Sequence, residues 1–376
     1  MKIIHTSDWH FGMPVGTGSY QDCQVYFLEQ LYGLIRDEQA QAVILAGDVF
    51  DSSVANAQAI GLFNDAASAI CGELGVKFIV IAGNHDGPAR LAAHRELLRN
   101  AGLYVSGRLE REIEPVLLDG GRVAVYPVPF FNRDEVIALF PERREEIRSQ
   151  ETAMMVVCDH IRERMDRSRV NILVSHALIV NAELSESDRS ARVGFATAVS
   201  KAALEGFDYV ALGHIHKPQV ITPHIRYSGS PIQYSFGSEE KQEKGVVVLD
   251  TDTLEQRFAA LPQLRGRKTA EGTYDELMER EDLKGDYLRL KVTDRYAGLE
   301  LQAALREKFP YLLEVYGKSL TEGEELSTLS VEQLQSLDET DIMEKFMGEH
   351  FQYSPTEEQR ALFRAVLQWS QKEDEA

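Results

Sequence analysis

The sequence predicts an α/β protein, and three observations carry that prediction. Short apolar runs rich in Val and Ile recur through the first 260 residues, segments with helical apolar spacing lie between the early runs, and several runs end in a polar cluster. Lys2–Thr6, Ala42–Ala46, Phe78–Ala82, Val123–Val128, Val170–Val174, Tyr209–Leu212 and Gly245–Leu249 are short and mostly apolar, the texture of strands covered on both faces. Between the first of them, Val25, Leu28, Leu31, Tyr32 and Ile35 share one helical face, and Ile60, Phe63, Ala67 and Ile70 share another less cleanly. Alternation of strand and helix to about residue 110 implies parallel pairing. The shorter connections around Arg226–Gly229, Gly245–Leu249 and Gln256–Ala260 imply a mixed or antiparallel second half.

From Leu264 the texture changes. Tyr287–Val292 alternates apolar and polar positions, Leu299–Phe309 has helical spacing, and Leu312–Tyr316 reads as a strand, together a small α+β unit. After Lys318 comes an acidic stretch rich in Ser and Glu. It is followed by a predicted helix start, with Ser354 as the cap, Pro355 at the first position and Glu357 closing a capping box. Leu362, Phe363, Val366, Leu367 and Trp369 then form an apolar face. The expected organisation is a main domain over 1–262, a cap over 263–318, an acidic linker over 319–352 and a C-terminal helix over 353–376.

Composition bounds the function. At 376 residues, 44% hydrophobic and 27% charged, the chain is long enough for two or three folded units and unlike disordered, collagenous or disulfide-rich sequences. No apolar run approaches the roughly 18 residues of a membrane span, and Lys2, His5, Asp8 and His10 interrupt any signal-peptide core, so a cytoplasmic protein is expected. Three scattered cysteines, Cys23, Cys71 and Cys158, exclude a disulfide framework or zinc ribbon and read as small buried hydrophobes. A net charge of −20 opposes direct binding to DNA, but residues 319–376, with fourteen acids and four bases, carry half of it. Bound cations would offset part of the rest.

Five polar clusters follow strands: Asp8-Trp9-His10, Gly47-Asp48-Val49-Phe50-Asp51, Gly83-Asn84-His85-Asp86, Ser175-His176 and Gly213-His214-Ile215-His216. Each puts an oxygen or imidazole donor where the chain leaves a sheet, and open α/β sheets gather such ends into one crevice. Donors without thiolate favour Mn²⁺, Fe²⁺, Zn²⁺ or Mg²⁺. Taken singly, Asp8 or Asp48 is by default a solvated carboxylate among sixty acids, His176 a satisfied histidine, and Asn84 a turn residue. Joint occurrence decides otherwise, because five of the ten histidines fall in these clusters.

The pattern D-x-H, G-D-x-x-D, G-N-H-D, a later His and G-H-x-H over residues 8–216 resembles the calcineurin-like metallophosphoesterases. Ile4 to His10, the stretch Gly229-Ser230-Pro231-Ile232-Gln233-Tyr234-Ser235-Phe236-Gly237 and the overall length narrow the resemblance to the SbcD family, the nuclease components of bacterial SbcCD complexes. That resemblance implies a metallophosphoesterase sandwich of two mostly mixed sheets flanked by helices, with a cap and a C-terminal helical tail. It implies that Asp8, His10, Asp48 and His216 hold one metal and Asp48, Asn84, His176 and His214 a second, with Asp48 bridging. His85 would protonate the leaving oxygen or orient the phosphate, and Asp51 and Asp86 would fix the ligating or catalytic groups.

Two cations, Mn²⁺ by family habit and roughly 3.5–4 Å apart, would generate hydroxide and neutralise charge on the phosphodiester. The implied activity is 3'–5' double-strand exonuclease and single-strand endonuclease, processing DNA ends and hairpins in repair and recombination. The implied partners are DNA and an SMC-like ATPase of SbcC type, with two copies of this chain in a heterotetramer and no membrane. Arg289, Lys291, Arg295 and Lys318 are candidates for DNA-backbone contacts on the cap. The same centre would also serve a small-substrate phosphoesterase, and a noncatalytic DNA-end scaffold is the reading from another class.

Overall fold

The structure, a computed structural model, describes residues 1–188 and 198–318 together with 355, 356, 359, 360 and 363. It divides into two compact units, Met1–Lys318 and Ser319–Ala376.

In the first unit, β1 (Lys2–Thr6) is followed by the small hairpin β2 (Pro14–Val15) and β3 (Gly18–Ser19), then β4 (Ala42–Ala46), β5 (Lys77–Ile81) and β6 (Leu103–Ser106). β7 (Val116–Leu118), β8 (Val123–Val128), β9 (Val170–His176), β10 (Tyr209–Gly213), β11 (Gln219–Thr222) and β12 (Ile225–Tyr227) come next. β13 (Gly245–Asp250) and β14 (Gln256–Ala260) complete the large sheets. One six-stranded sheet has the order β14-β13-β1-β4-β5-β6 and the other β11-β12-β10-β9-β8-β7. In the first, β1, β4, β5 and β6 are parallel and the two late strands antiparallel. In the second, β8, β9, β10 and β12 are parallel and the edges antiparallel. Both sheets are mixed, as expected of the α/β sandwich.

Alternation along the strands builds the sandwich. Ile3, Ile44, Ile79 and Ile81 of the first sheet pack on Val125, Ile172, Val174 and Ala211 of the second, all fully buried. The intervening residues Ile4, Val43, Leu45 and Val80 face outward onto Phe27, Leu31 and Ile35 of helix Gln21–Glu38 and Phe63 of helix Ala57–Ala67. Helix Gln150–Arg162 covers the outer face of the second sheet. Ile60 is 44% exposed, which explains its poor fit to the helical face, whereas Ile70 is fully buried where the helix loosens into a π-turn over Ser68–Glu73. Cys23 and Cys158 are buried and Cys71 is half-buried.

His5 bridges the sheets from within. Its Nδ1 meets Tyr209 Oη at 2.8 Å and its Nε2 the Leu212 carbonyl at 3.1 Å, so it ties β1 to β10. Burial, reinforced by Arg226, pushes its pKa down to about 3, so the ring is neutral.

Residues 267–318 add a third sheet, β15 (Arg267–Gly272), β16 (Tyr287–Tyr296) and β17 (Leu312–Lys318), all parallel. The crossovers contain helices Tyr274–Glu279 and Leu299–Lys308, around a core of Leu277, Leu288, Leu290, Leu305 and Phe309. It joins the main body through Arg267, whose guanidinium lies 4.6 Å from the Phe236 ring, and through Tyr287 stacked edge-on to Tyr20. Arg289 pairs with Glu314, Lys291 with Glu271 and Arg295 with Asp275, so these cap cations are already compensated by neighbours.

The expected acidic linker and the caps Ser354 and Glu357 lie outside the described residues, as does the predicted apolar face except Phe363. Within the described ones, Gln359 N donates to Thr356 Oγ1 at 3.3 Å and Thr356 N to Gln359 Oε1 at 2.9 Å. This reciprocal pair is a capping box two residues later than the sequence predicts. Among the described residues no helix is long and apolar enough to cross a membrane.

Candidate metal centre

Every predicted ligand lies at or just beyond the C-terminal end of a strand, where parallel pairing puts those ends on one edge. Asp8 and His10 follow β1, Asp48 follows β4, Asn84 and His85 follow β5, His176 ends β9, and His214 and His216 follow β10. The two edges meet at this point. The His176 Nδ1–H donates to the Ala46 carbonyl at 2.8 Å, and the His214 amide donates to Asp8 at 3.0 Å.

Gly213 is required by that approach, since a Cβ there would collide with the Ala46 carbonyl oxygen. Gly83 is required likewise, because a Cβ would strike the Asp48 carboxylate. Asp8, His10, Asp48 and His214 all hold positive φ, at 55°, 44°, 50° and 102°, a conformation costly for residues with side chains. Four candidate ligands thus share the same backbone strain, held by ladder-like bonds such as Asp8 N to the Gly47 carbonyl and His10 N to the Asp48 carbonyl, both 3.0 Å.

The donor atoms fall into overlapping groups. Asp8, His10 and His216 bring three donors within 4.8 Å of one another, as do Asp8, Asp48 and His176, and all five residues are buried. His10 Nε2 lies 3.1 Å from His216 Nε2. Asn84 Oδ1 is 3.0 Å from His176 Nε2 and 2.9 Å from His214 Nδ1, and those two nitrogens are 3.3 Å apart. His10 Nδ1 is buried without a hydrogen-bond partner, 3.5 Å from Asp51 Oδ1. Two buried carboxylates ringed by four imidazoles, with nitrogen facing nitrogen, match the hard and borderline chemistry of divalent cations.

The electrostatics agree. Burial raises the Asp48 carboxyl, but His176 and His10 prevail and hold it well below its ordinary value. Burial opposes charge on His176 and His216 as well, yet Asp48 beside the first and Asp188 with Glu239 beside the second push each up to about 9. His214 is pushed down to about 3 by burial and by His176, so it keeps a lone pair to offer.

The remaining predicted residues surround this set. His85 is half-buried, its Nδ1–H donating to the Asp51 carbonyl at 3.0 Å and its ring edge-on to His10 at 4.9 Å. Its backbone N–H donates to Asp48 Oδ1 at 2.9 Å. Asp86 accepts from Val49, Phe50 and Gly83 amides at 2.8–3.1 Å and so clamps the Asp48 loop to the Asn84 loop. Burial and Asp48 raise its pKa to about 6.

Sequence reasoning missed Ser187, Asp188, Glu239 and Lys244 behind His216. Only the stretch Gly229–Gly237, which leads into Glu239, signalled anything there. An apolar cavity of about 180 Å³, walled by Phe130, Phe131, Met154 and Leu178, adjoins Asn84, His176 and His214.

Residues 1–218 match the calcineurin-like phosphoesterase family, and residues 257–351 match the family described as type 5 capsule protein repressor C-terminal domain. The SbcD component of the SbcCD nuclease of Staphylococcus epidermidis is 31% identical over 92% of this chain and 92% of that protein. Its counterpart in Staphylococcus saprophyticus is 30% identical over 99% of this chain and 100% of its own length. The chain belongs to the calcineurin-like phosphoesterases, in their SbcD family. As an SbcD-family member it is a phosphodiester hydrolase of the nuclease-subunit type, and membership implies the divalent cations that the donor set fits. Among solved structures, the protein TT1561 of Thermus thermophilus has a TM-score of 0.39 and 15% identity over 69% of this chain and 98% of that one.

Proposed function

We propose that this chain is the nuclease subunit of an SbcCD-type complex, acting on DNA as a 3'–5' double-strand exonuclease and single-strand endonuclease in the processing of ends and hairpins. The observation that carries the reading is the convergence of seven donor side chains from five loops onto one pocket. In this reading Asp8, His10, Asp48 and His216 hold one cation, and Asp48, Asn84, His176 and His214 hold the other. Two divalent cations, with Mn²⁺ the choice favoured here, supply Lewis-acid activation of water and neutralise charge on the scissile phosphate.

The chain's own residues do the rest. His85 spends its Nδ1–H on the Asp51 carbonyl, so in the imidazolium form its Nε2–H is free to orient the phosphate or to be handed to the leaving oxygen, which returns the ring to the neutral Nδ1–H tautomer. Asp51 thereby orients His85 through its carbonyl, while its carboxylate lies 3.5 Å from His10 Nδ1 without a hydrogen bond. Asp86 holds the two glycine-led loops in register. Positive φ at four ligands places their side chains where extended backbone would turn them away.

Relatives named for a two-component nuclease support a partner, an SMC-like ATPase of SbcC type, with two copies of this chain in a heterotetramer. The C-terminal helix is the docking element in this proposal and 263–318 the part that positions DNA. A basic groove on the ATPase would answer the formal −20 of this chain.

End-labelled duplex with Mn²⁺, with and without the ATPase subunit, tests the reading. Wild type should degrade the duplex, and His85→Ala should retain its metal while losing about 10²–10⁴-fold in turnover, the range for general acid–base work. Activity on nitrophenyl phosphates but none on DNA would favour a small-substrate enzyme, and equal degradation by both proteins would overturn the role given to His85.

A further inference from the structure

The buried polar residues behind His216 form a closed network that the chemistry above does not use. Glu239 and Lys244 are each fully buried and pair at 3.3 Å. Glu239 accepts four donors: Lys244 Nζ, Ser187 Oγ at 2.7 Å, and the Tyr234 and Ser235 amides at 2.6 and 2.7 Å. Ser187 Oγ in turn lies 2.7 Å from His216 Nδ1. With the Ser187 hydroxyl proton committed to Glu239, its oxygen accepts from the His216 Nδ1–H, so Nε2, the atom that faces His10, is the nitrogen whose proton a cation would displace to reach a lone pair. From the other side, Lys244 Nζ donates to the His216 backbone carbonyl at 2.8 Å, and Asp188 accepts the His216 amide at 3.1 Å.

A buried ion pair gives little net stability against an apolar pair of similar volume, because desolvation offsets the attraction. Its retention here calls for another reason. Imidazole ligands depend on the group bonded to their other nitrogen, which fixes tautomer and ring angle and raises donor strength. Asp188, Glu239 and Lys244 together leave one net negative charge behind the ring.

We propose that Glu239, acting through Ser187 and locked by Lys244, is the positioning residue for His216, holding the ring so that Nε2 faces the cation shared with Asp8 and His10. The inference rests on the proposed ligand set, and it gives the Gly229–Gly237 stretch a purpose: that stretch delivers Glu239 beneath the G-H-x-H loop. Glu239 touches neither substrate nor metal.

The test is calorimetric titration of the metal-free full chain with Mn²⁺ at about pH 9, where competition from the His216 proton is small, comparing wild type, His216→Ala, Glu239→Gln and Glu239→Gln/Lys244→Met. The single Gln variant strands a buried lysine and can lose fold stability for that reason. The double variant removes the stranded charge, so its metal binding is read free of that effect. The expected result is that one of two ions weakens about 10–100-fold in both Gln variants, the usual loss when a ligand's outer partner is removed, while the other ion keeps its affinity. Above about pH 9, where protonation of His216 no longer adds stability, thermal unfolding of the metal-free double variant should match wild type. Wild-type affinity for both ions in the double variant, or equal weakening of both, would overturn the inference. If His216→Ala still binds two ions as tightly as wild type, the ligand assignment itself fails, which is a separate outcome.

Discussion

Loading the pocket with metal should expel protons, and the size of the effect follows from two histidines. His176 and His216 are pushed from 6.5 to about 9 by neighbouring carboxylates, so near pH 7 both carry a proton that a cation must displace. One falls in each proposed metal site. The apparent affinity of each site should therefore fall roughly tenfold per pH unit between pH 9 and 7, about 100-fold in all, with about one proton released per ion. The sign for stability is opposite. A raised histidine pKa stabilises the metal-free fold below about pH 6.5 and ceases to do so as pH rises through about 9, by roughly 3 kcal/mol per residue. The metal-free protein should melt lower at pH 9 than at 6.5, while saturating Mn²⁺ should stabilise it most at pH 9. Calorimetry in two buffers of different ionisation enthalpy counts the protons. Flat affinity from pH 7 to 9 with no proton release would refute the electrostatic reasoning.

Further expectations concern single residues. Asp48→Asn should lose both cations together, seen as zero metal per chain by elemental analysis, whereas loss of one ion only would argue against a bridging role. Gly213→Ala should destabilise by about 1–3 kcal/mol, because the added methyl meets the Ala46 carbonyl; a change under about 0.5 kcal/mol in urea unfolding would contradict that packing. His5, pushed down to about 3, stays neutral in the fold while the unfolded chain takes up its proton, so it stabilises above about pH 6.5 and less as pH falls towards 3. His5→Gln should flatten the acid limb of the metal-free stability curve, and an unchanged slope would be against the reading.

Sheet and site were legible in the sequence to different depths. Strands such as Ala42–Ala46 and Val123–Val128 are recognisable because both faces are buried, which leaves a continuous apolar run. β9 extends to His176, past the predicted end at Val174, since Ser175 and His176 remain paired with Leu212 and Gly213 while their polarity imitates a loop. Edge strands β7 and β11 and the cap strand β15 have a side facing water or charge and left no such signature. The ligand candidates were legible jointly, through histidines and acids placed after strands. Glu239 and Lys244 were not, because the run Ser238-Glu239-Glu240-Lys241-Gln242-Glu243-Lys244 reads as solvated surface until the chain folds Glu239 and Lys244 under His216.

Anomalous diffraction from crystals soaked in Mn²⁺ tests the central claim most directly. Two peaks are expected, one among Asp8, His10, Asp48 and His216 and one among Asp48, Asn84, His176 and His214. A single peak, no peak, or peaks lying elsewhere on the molecule would contradict the account.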